Sequence, residues 1–169
     1  MKTLKRINDV VDGLIYLLIG PFTVIGTIPL LLMQVDSAMS LPRFTSAEIE
    51  HAGFLLMDLG AALALWCTWL MHHGGGTPIP STPATQLVSS GPYAYVRHPM
   101  MYTLLIVAIG EVLVTGSILV LLWIPLGMRA GALFISAYEE PVLMSRFEDE
   151  YRNYCEKVPR WLPKRFNDK

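Results

Sequence analysis

From Gly13 to Met33 the chain runs 21 residues without a charge, and three more stretches of similar character follow. A helix that crosses the bilayer core needs about 20 predominantly apolar residues, so pooling on this scale restricts the fold to a few arrangements. The first run follows Lys2, Lys5 and Arg6, the charge order of a secretory signal. It exceeds the ~7–15 residues of a signal's apolar region and is expected to stay as an anchor helix, kinked near Pro21 and Pro29. The second candidate, Ala52 to Met71, has Asp58 as its only charge and ends in Trp66, Trp69 and His72-His73. Aromatic side chains at that end suit a membrane–water boundary. From Met100 to Gly127 only Glu111 interrupts, and continuing past Arg129 to Tyr138 makes room for two helices. The turn between them falls near Thr115-Gly116-Ser117.

Composition agrees with this division. Hydrophobic residues make up 53% of the chain and charged ones 16%, against ~45–50% and ~25% in ordinary soluble domains. The net charge of −1 leaves no basic field for a nucleic-acid backbone. Cys67 and Cys155 lie far apart with no ligand spacing around them, so neither a disulfide framework nor a metal site is expected. With both termini inside, the inner segments would hold Lys2, Lys5, Arg6, Arg97, Arg146, Arg152, Lys157, Arg160, Lys164, Arg165 and Lys169, and the outer loops only Arg43. By the positive-inside rule the expectation is an all-α integral membrane protein of four transmembrane helices in a cell inner membrane. The last two helices form a tight hairpin, followed by a cytoplasmic or interfacial helix. Residues 1–73 supply two spans, and 74–169 a core of connector, hairpin and C-terminal helix, together one structural domain. A carboxylate at mid-bilayer costs ~2.5–3.5 kcal/mol, so Asp58 and Glu111 should be paired or face the bundle interior.

The connector from Gly74 to Ser90 has no charge and is rich in glycine, proline and hydroxyls. It should be extended, and it carries no G-x-G-x-x-G phosphate fingerprint. After Tyr138, acids and bases alternate at helical spacings up to Pro159, as on a solvated or interfacial helix. If the hairpin is right, Arg97-His98-Pro99 at the start of its first helix and Glu139-Glu140 at the end of its second lie at one depth. Pro99 suits a first helical turn, and the open N–H groups of that turn favour an anionic ligand. Taken singly, Arg97 is also what a positive-inside anchor looks like, His98 an interfacial hydrogen bonder, and the glutamate pair a solvated helix end.

Together these residues resemble the isoprenylcysteine carboxyl methyltransferase and phospholipid methyltransferase group of membrane enzymes. The resemblance runs through Gly75-Gly76-Thr77-Pro78, Leu87-Val88, Gly91-Pro92-Tyr93, Val96-Arg97-His98-Pro99-Met100, Gly110-Glu111 and Gly116-Ser117. It continues through Tyr138-Glu139-Glu140-Pro141, Phe147, Glu150-Tyr151, Tyr154 and Val158-Pro159-Arg160-Trp161-Leu162-Pro163. It implies methyl transfer from S-adenosylmethionine, bound at the cytoplasmic face, to a lipophilic small molecule or lipid acceptor that enters from the bilayer, without metal or nucleic acid. Carried over position by position, it implies cofactor binding by Gln86, Leu87, Val88, Tyr93, His98, Pro99, Met100, Met101 and Glu139, and catalysis by Arg97, His98 and Glu140. The acceptor would be an isoprenylated thiol or carboxylate or a similar molecule. Alternatives are a phospholipid amine, or a silent protein that only binds cofactor or lipid. Two positions depart from the pattern: Met101 stands where many relatives have tyrosine, with Tyr102 one residue later, and Ile135 stands where an arginine suited to a substrate carboxylate is expected.

Overall fold

The computed structural model describes residues 20, 22–74 and 85–163, and every regular element among them is helical. The start of the first apolar run with Pro21, the glycines at 75–76 and the basic residues from 164 onward lie outside the described residues. Five α-helices follow one another: α1 (Ile28–Ala38), α2 (Ala47–His73), α3 (Pro99–Thr115), α4 (Ile118–Phe134) and α5 (Glu140–Lys157). A short 3-10 turn, Gly91–Ala94, precedes α3.

Helix α2 begins where Ser46 accepts a hydrogen bond from the Ile49 amide, with Glu48 and Glu50 in the first turn, where acids complement the helix dipole. Its 27 residues rise about 40 Å. Glycines let it pack closely on the antiparallel α3. A Cβ placed on Gly53 would stand 2.8 Å from the Gly110 carbonyl oxygen, and one on Gly110 would stand 2.7 Å from that of Gly53. Small residues at the crossing are how helices associate where lipid removes the hydrophobic drive.

The hairpin turns where the sequence predicts. Gly116, at φ 61°, ends α3 in the left-handed conformation, and Ser117 caps α4 by accepting from the Val120 amide at 3.0 Å. The tip is closed by the loop ahead of α2: the Phe44 amide donates to the Gly116 carbonyl at 3.3 Å and the Thr45 hydroxyl to that of Leu113 at 3.1 Å. Beneath it, the buried Asp36 accepts a hydrogen bond from the Ser117 hydroxyl. On α4, the Trp123 indole donates to the Val24 carbonyl at 2.9 Å and ties the N-terminal helix to the hairpin.

Two π-helical segments, Thr23–Thr27 and Ile135–Glu139, come just ahead of Pro29 and Pro141. The residue before each proline, Ile28 or Glu140, donates its amide five residues back, to Thr23 or Ile135. A proline offers no N–H and its ring crowds the carbonyl four residues earlier, and the wider π turn relieves that conflict. The kink expected at Pro29 thus takes the form of a π segment.

The distribution of apolar side chains is inverted relative to a soluble domain. Leu55, Leu65 and Leu126 are 70%, 71% and 63% exposed, and the core holds few large residues. Helix α2 and the helical stretch Ile118–Lys157, which is kinked at Glu148 (φ 42°), are long and apolar enough to cross a membrane, while Thr23–Ala38 and Pro99–Thr115 are shorter apolar helices. Among the described residues the chain is an all-helical membrane protein. One expectation fails: Asp58 is not turned inward but lies exposed on α2, with no hydrogen-bond or ion-pair partner among the described residues. The reason is that the face of α2 toward α3 is taken by Gly53 and Gly60, and Asp58 stands off that face. Glu111 is half-buried, and its Oε2 is enclosed without a hydrogen-bond partner.

Candidate active site

At the mouth of the hairpin, the π segment before Pro141 shapes the site. Consecutive α-helical residues point about 100° apart, yet Glu139 and Glu140 both reach the imidazole of His98. Glu139 Oε1 lies 3.7 Å from its Nδ1 and Glu140 Oε1 3.2 Å from its Nε2. His98 caps α3, is 5% exposed, and is followed by Pro99 at the first helical position.

The two carboxylates differ in what they hold. Glu140 is 12% exposed and binds three basic groups: Arg97 NH1 at 3.3 Å, His98, and Arg160, whose Nε donates at 2.9 Å and whose NH2 meets the other oxygen. Burial works against its ionisation, but the hydrogen bonds from Arg160 and His98 and their positive charge prevail and hold the carboxyl below the ordinary glutamate range. Glu139 is 42% exposed and has only the longer approach to His98.

Arg97 fastens the C-terminal segment. Its backbone amide donates to the Pro159 carbonyl at 3.0 Å, its Nε to that of Val158 at 2.8 Å and its NH2 to that of Cys155 at 3.5 Å. Past Arg160, the Tyr102 hydroxyl donates to the Trp161 carbonyl, and the Trp161 ring sits 5.8 Å from that of His98. Residues 158–161 form a strap across the mouth, held by Arg97 just ahead of α3, by Tyr102 of α3 and by Glu140 of α5. Behind it Tyr151, Tyr154 and Val158 pack with Leu87 and Phe147, and the Tyr154 hydroxyl donates to the Tyr93 carbonyl at 2.7 Å. The hydroxyls of Tyr93 and Tyr151 are enclosed with no oxygen or nitrogen partner, beside the Cys67 and Cys155 thiols, and burial pushes both phenols well above their ordinary range.

Of the residues singled out from sequence, Arg97, His98, Glu139 and Glu140 form one cluster. Tyr93 lies close enough to Glu139 to feel its charge. Leu87 belongs to the packing behind the strap, and Val88 abuts Gly74 at the end of α2. Pro99 and Met101 are buried, and Met101 rests on Gly131, where a Cβ would meet its Cε at 2.8 Å. Gln86 is exposed and Met100 half-buried, and neither joins the hydrogen-bond network. Arg160, Trp161 and Tyr102 are the participants that sequence reasoning missed. Their signal was the Val158-Pro159-Arg160-Trp161 run, whose proline ends α5 and turns the arginine back on the helix start.

From Met101 a small, open apolar crevice of about 70 Å³ extends between α3 and α4, lined by Leu104, Ala108, Trp123, Gly127 and Gly131 among others. The molecule is therefore a helical membrane protein with a charged, strapped cluster at one end of an apolar crevice.

Comparison with known proteins places this arrangement. The phospholipid methyltransferase family model matches residues 49–150, more than half of the chain, and the chain belongs to that family. It is 36% identical over 77 residues to the protein-S-isoprenylcysteine O-methyltransferase of Schizosaccharomyces pombe, which covers 46% of this chain and 33% of that protein. It is 26% identical over 148 residues to the nickel-cobalt-cadmium resistance protein NccN of Alcaligenes xylosoxydans xylosoxydans, covering 86% of this chain and 64% of that one. The chain thus spans less than two thirds of the length of either curated relative.

Proposed function

We propose that this chain transfers a methyl group from S-adenosylmethionine to a lipophilic acceptor, at the cytoplasmic face of a cell inner membrane that it crosses four times with both termini inside. The observation that carries the reading is the division of labour between the two glutamates. Glu140 is saturated by Arg97, His98 and Arg160, while Glu139 stands beside a buried imidazole with most of its hydrogen-bonding capacity free.

The residues present fit such a cofactor. It brings two cationic centres, a carboxylate and a flat base, and when bound it supplies an electrophilic methyl on sulfonium sulfur. Glu139 would hold the amino group, and the Tyr93 hydroxyl, which has no oxygen or nitrogen partner, offers a buried donor. Leu87, Met101 and Trp161 would wall the base. Catalysis of an in-line displacement lies largely in positioning and water exclusion, and the strap of residues 158–161 with the Trp161 ring is placed to exclude water. Arg97 and Glu140 contribute by fixing His98 and the strap.

The crevice beginning at Met101 suits an acceptor with an apolar chain of lipid or isoprenoid type. Ile135 is a buried hydrophobe where a substrate carboxylate would want a cation, which disfavours a carboxylate acceptor. The His98 imidazole with the free Glu139 beside its Nδ1 favours an acceptor that must lose a proton, such as a thiol or the phospholipid amine of the alternative reading. In this reading residues 1–73 anchor and residues 74–169 carry the chemistry.

The test is binding of labelled S-adenosylmethionine to protein in lipid nanodiscs, followed by mass spectrometry of membrane lipids and thiols incubated with it. Saturable binding that Glu139→Ala and His98→Ala abolish, with a mass gain of one methyl in one lipid class, supports the reading. No binding, or binding indifferent to both changes, sinks it, and binding without any methylated product leaves a silent cofactor-binding protein.

A further inference from the structure

Two ionisable side chains lie exposed in the apolar middle of the helices, and they have opposite charge. Asp58 is on α2 and Arg129 on α4, and neither has a hydrogen-bond or ion-pair partner among the described residues. Inside a membrane such groups are costly unless paired or facing water, and an unpaired one marks an interaction. They cannot satisfy one another within the monomer, because α3 lies between α2 and α4, packing on both.

Their depth is matched. Helices α2 and α4 run in the same direction from N-cap serines, Ser46 and Ser117, that stand at one level. The bonds from Phe44 to Gly116 and from Thr45 to Leu113 fix that level. Asp58 follows Ser46 by twelve residues and Arg129 follows Ser117 by twelve, so each lies about 18 Å along its helix. The surroundings match as well. On α2, Leu55, Ala62, Leu65 and Trp69 are exposed at heptad-like spacing around Asp58. On α4, Leu122, Leu126 and Leu133 are exposed with Arg129 on one stripe.

We infer that these two stripes are the halves of a homodimer interface, in which Asp58 of each copy pairs with Arg129 of the other within the bilayer. A two-fold axis along the membrane normal preserves depth, so the acid of one copy meets the base of the second and the contact forms twice. A second copy of this chain is the occupant that the charges select, since it necessarily presents the opposite group at the matching depth. The inference goes beyond the proposed methyl transfer and requires only that α2 and α4 cross the membrane.

The experiment reconstitutes fluorescently labelled full-length protein in vesicles over a range of protein-to-lipid ratios and counts subunits by single-molecule photobleaching. Wild type is expected as dimers. Asp58→Asn and Arg129→Gln should each raise the ratio needed for dimerisation about tenfold, and Asp58→Arg or Arg129→Asp alone should leave monomers. An equal mixture of those two reversed chains restores both ion pairs and should give heterodimers, which also shows that each reversed chain is folded. Monomers at every wild-type ratio, dimers insensitive to the neutral substitutions, or a mixture that fails to pair while both chains keep their helical circular dichroism would each overturn the inference. No methyl donor enters this measurement, so its outcome is independent of the test of function.

Discussion

The two ends of the α3–α4 hairpin solve the same problem, a polar turn of chain beside an apolar bundle, in opposite ways. At the tip the turn itself is enclosed: Gly116 makes it, Ser117 caps α4, the loop at 44–45 closes over them, and Asp36, 1% exposed, accepts from Ser117. At the mouth two carboxylates, two guanidiniums and an imidazole converge, and one carboxylate, Glu139, is left within reach of a ligand. The tip spends its polar groups on shape. The mouth spends Glu140 on shape and thereby frees Glu139, which is the difference between a turn and a site.

The largest effect that can break this comparison falls on Glu140. Glu140→Ala leaves Arg97, His98 and Arg160 without their shared anion, and loss of one partner of a buried ion pair costs roughly 3–5 kcal/mol. Because the Arg160 side chain is 40% exposed, the expected loss is at the lower end, about 3 kcal/mol, read as a fall in the unfolding midpoint in detergent. An unchanged midpoint would show that the strap is not held by this residue. The pH dependence has a definite sign. Burial alone would raise the Glu140 carboxyl, but Arg160 and His98 hold it below the ordinary range. Its contribution is therefore complete above the unfolded glutamate pKa and is lost only as pH falls through the lower folded value. Acid titration of the wild-type midpoint, compared with Glu140→Gln, isolates that loss at the acid end.

Next comes Glu139. Glu139→Gln removes a charge that has no tight partner, so the unfolding midpoint should stay within a degree or so of wild type. A hydrogen bond to a charged group is worth ~1.5–3 kcal/mol, so the dissociation constant for S-adenosylmethionine should rise about tenfold to a hundredfold. The reverse pattern, with stability lost and affinity kept, would exchange the roles assigned to the two glutamates.

How much of this was legible beforehand differs between the ends. The tip was, since Gly116-Ser117 is the only small polar break in a long apolar run and its chemistry is local. The convergence of Arg97 and His98 with Glu139 and Glu140 was legible too, because a hairpin returns the chain to one depth. The strap was not, because Arg160 and Glu140 are twenty residues apart, and in sequence such a pair looks like ordinary surface charge. The π segment was missed as well, although Pro141 so soon after the glutamate pair was its cause. Asp58 was expected to be paired or to face the interior because an isolated carboxylate at mid-bilayer is costly, and α2, apolar almost all round, has no periodicity by which its buried face could be recognised. Glycines at 53 and 60, not charge, mark the face that packs.

At the tip, Gly116→Val tests the sterics. The left-handed conformation costs a side chain roughly 1–2 kcal/mol, and a Cβ here would also stand 2.9 Å from the Phe44 amide nitrogen. Destabilisation of about 2 kcal/mol is expected, with cofactor affinity unchanged once the protein is folded. A comparable loss from Gly116→Ala would follow from the same φ, whereas tolerance of both would mean that the loop at 44–45 yields freely.

The smallest effect is at Asp36. Asp36→Ala removes the acceptor of the Ser117 hydroxyl, a loss of about 1 kcal/mol. Asp36→Asn keeps an oxygen for Ser117 and replaces the enclosed, unpartnered Oδ1 with an amide, so it trades one unsatisfied group for another and should fall below about 1 kcal/mol. Both should leave S-adenosylmethionine binding where it was, since α3 separates Asp36 from His98 by most of its length. A change in affinity from Asp36→Asn, with the unfolding midpoint held, would mean that the tip transmits to the mouth through α3. The two ends would then be one coupled device, with the enclosed polar group at the tip acting on the open one at the mouth.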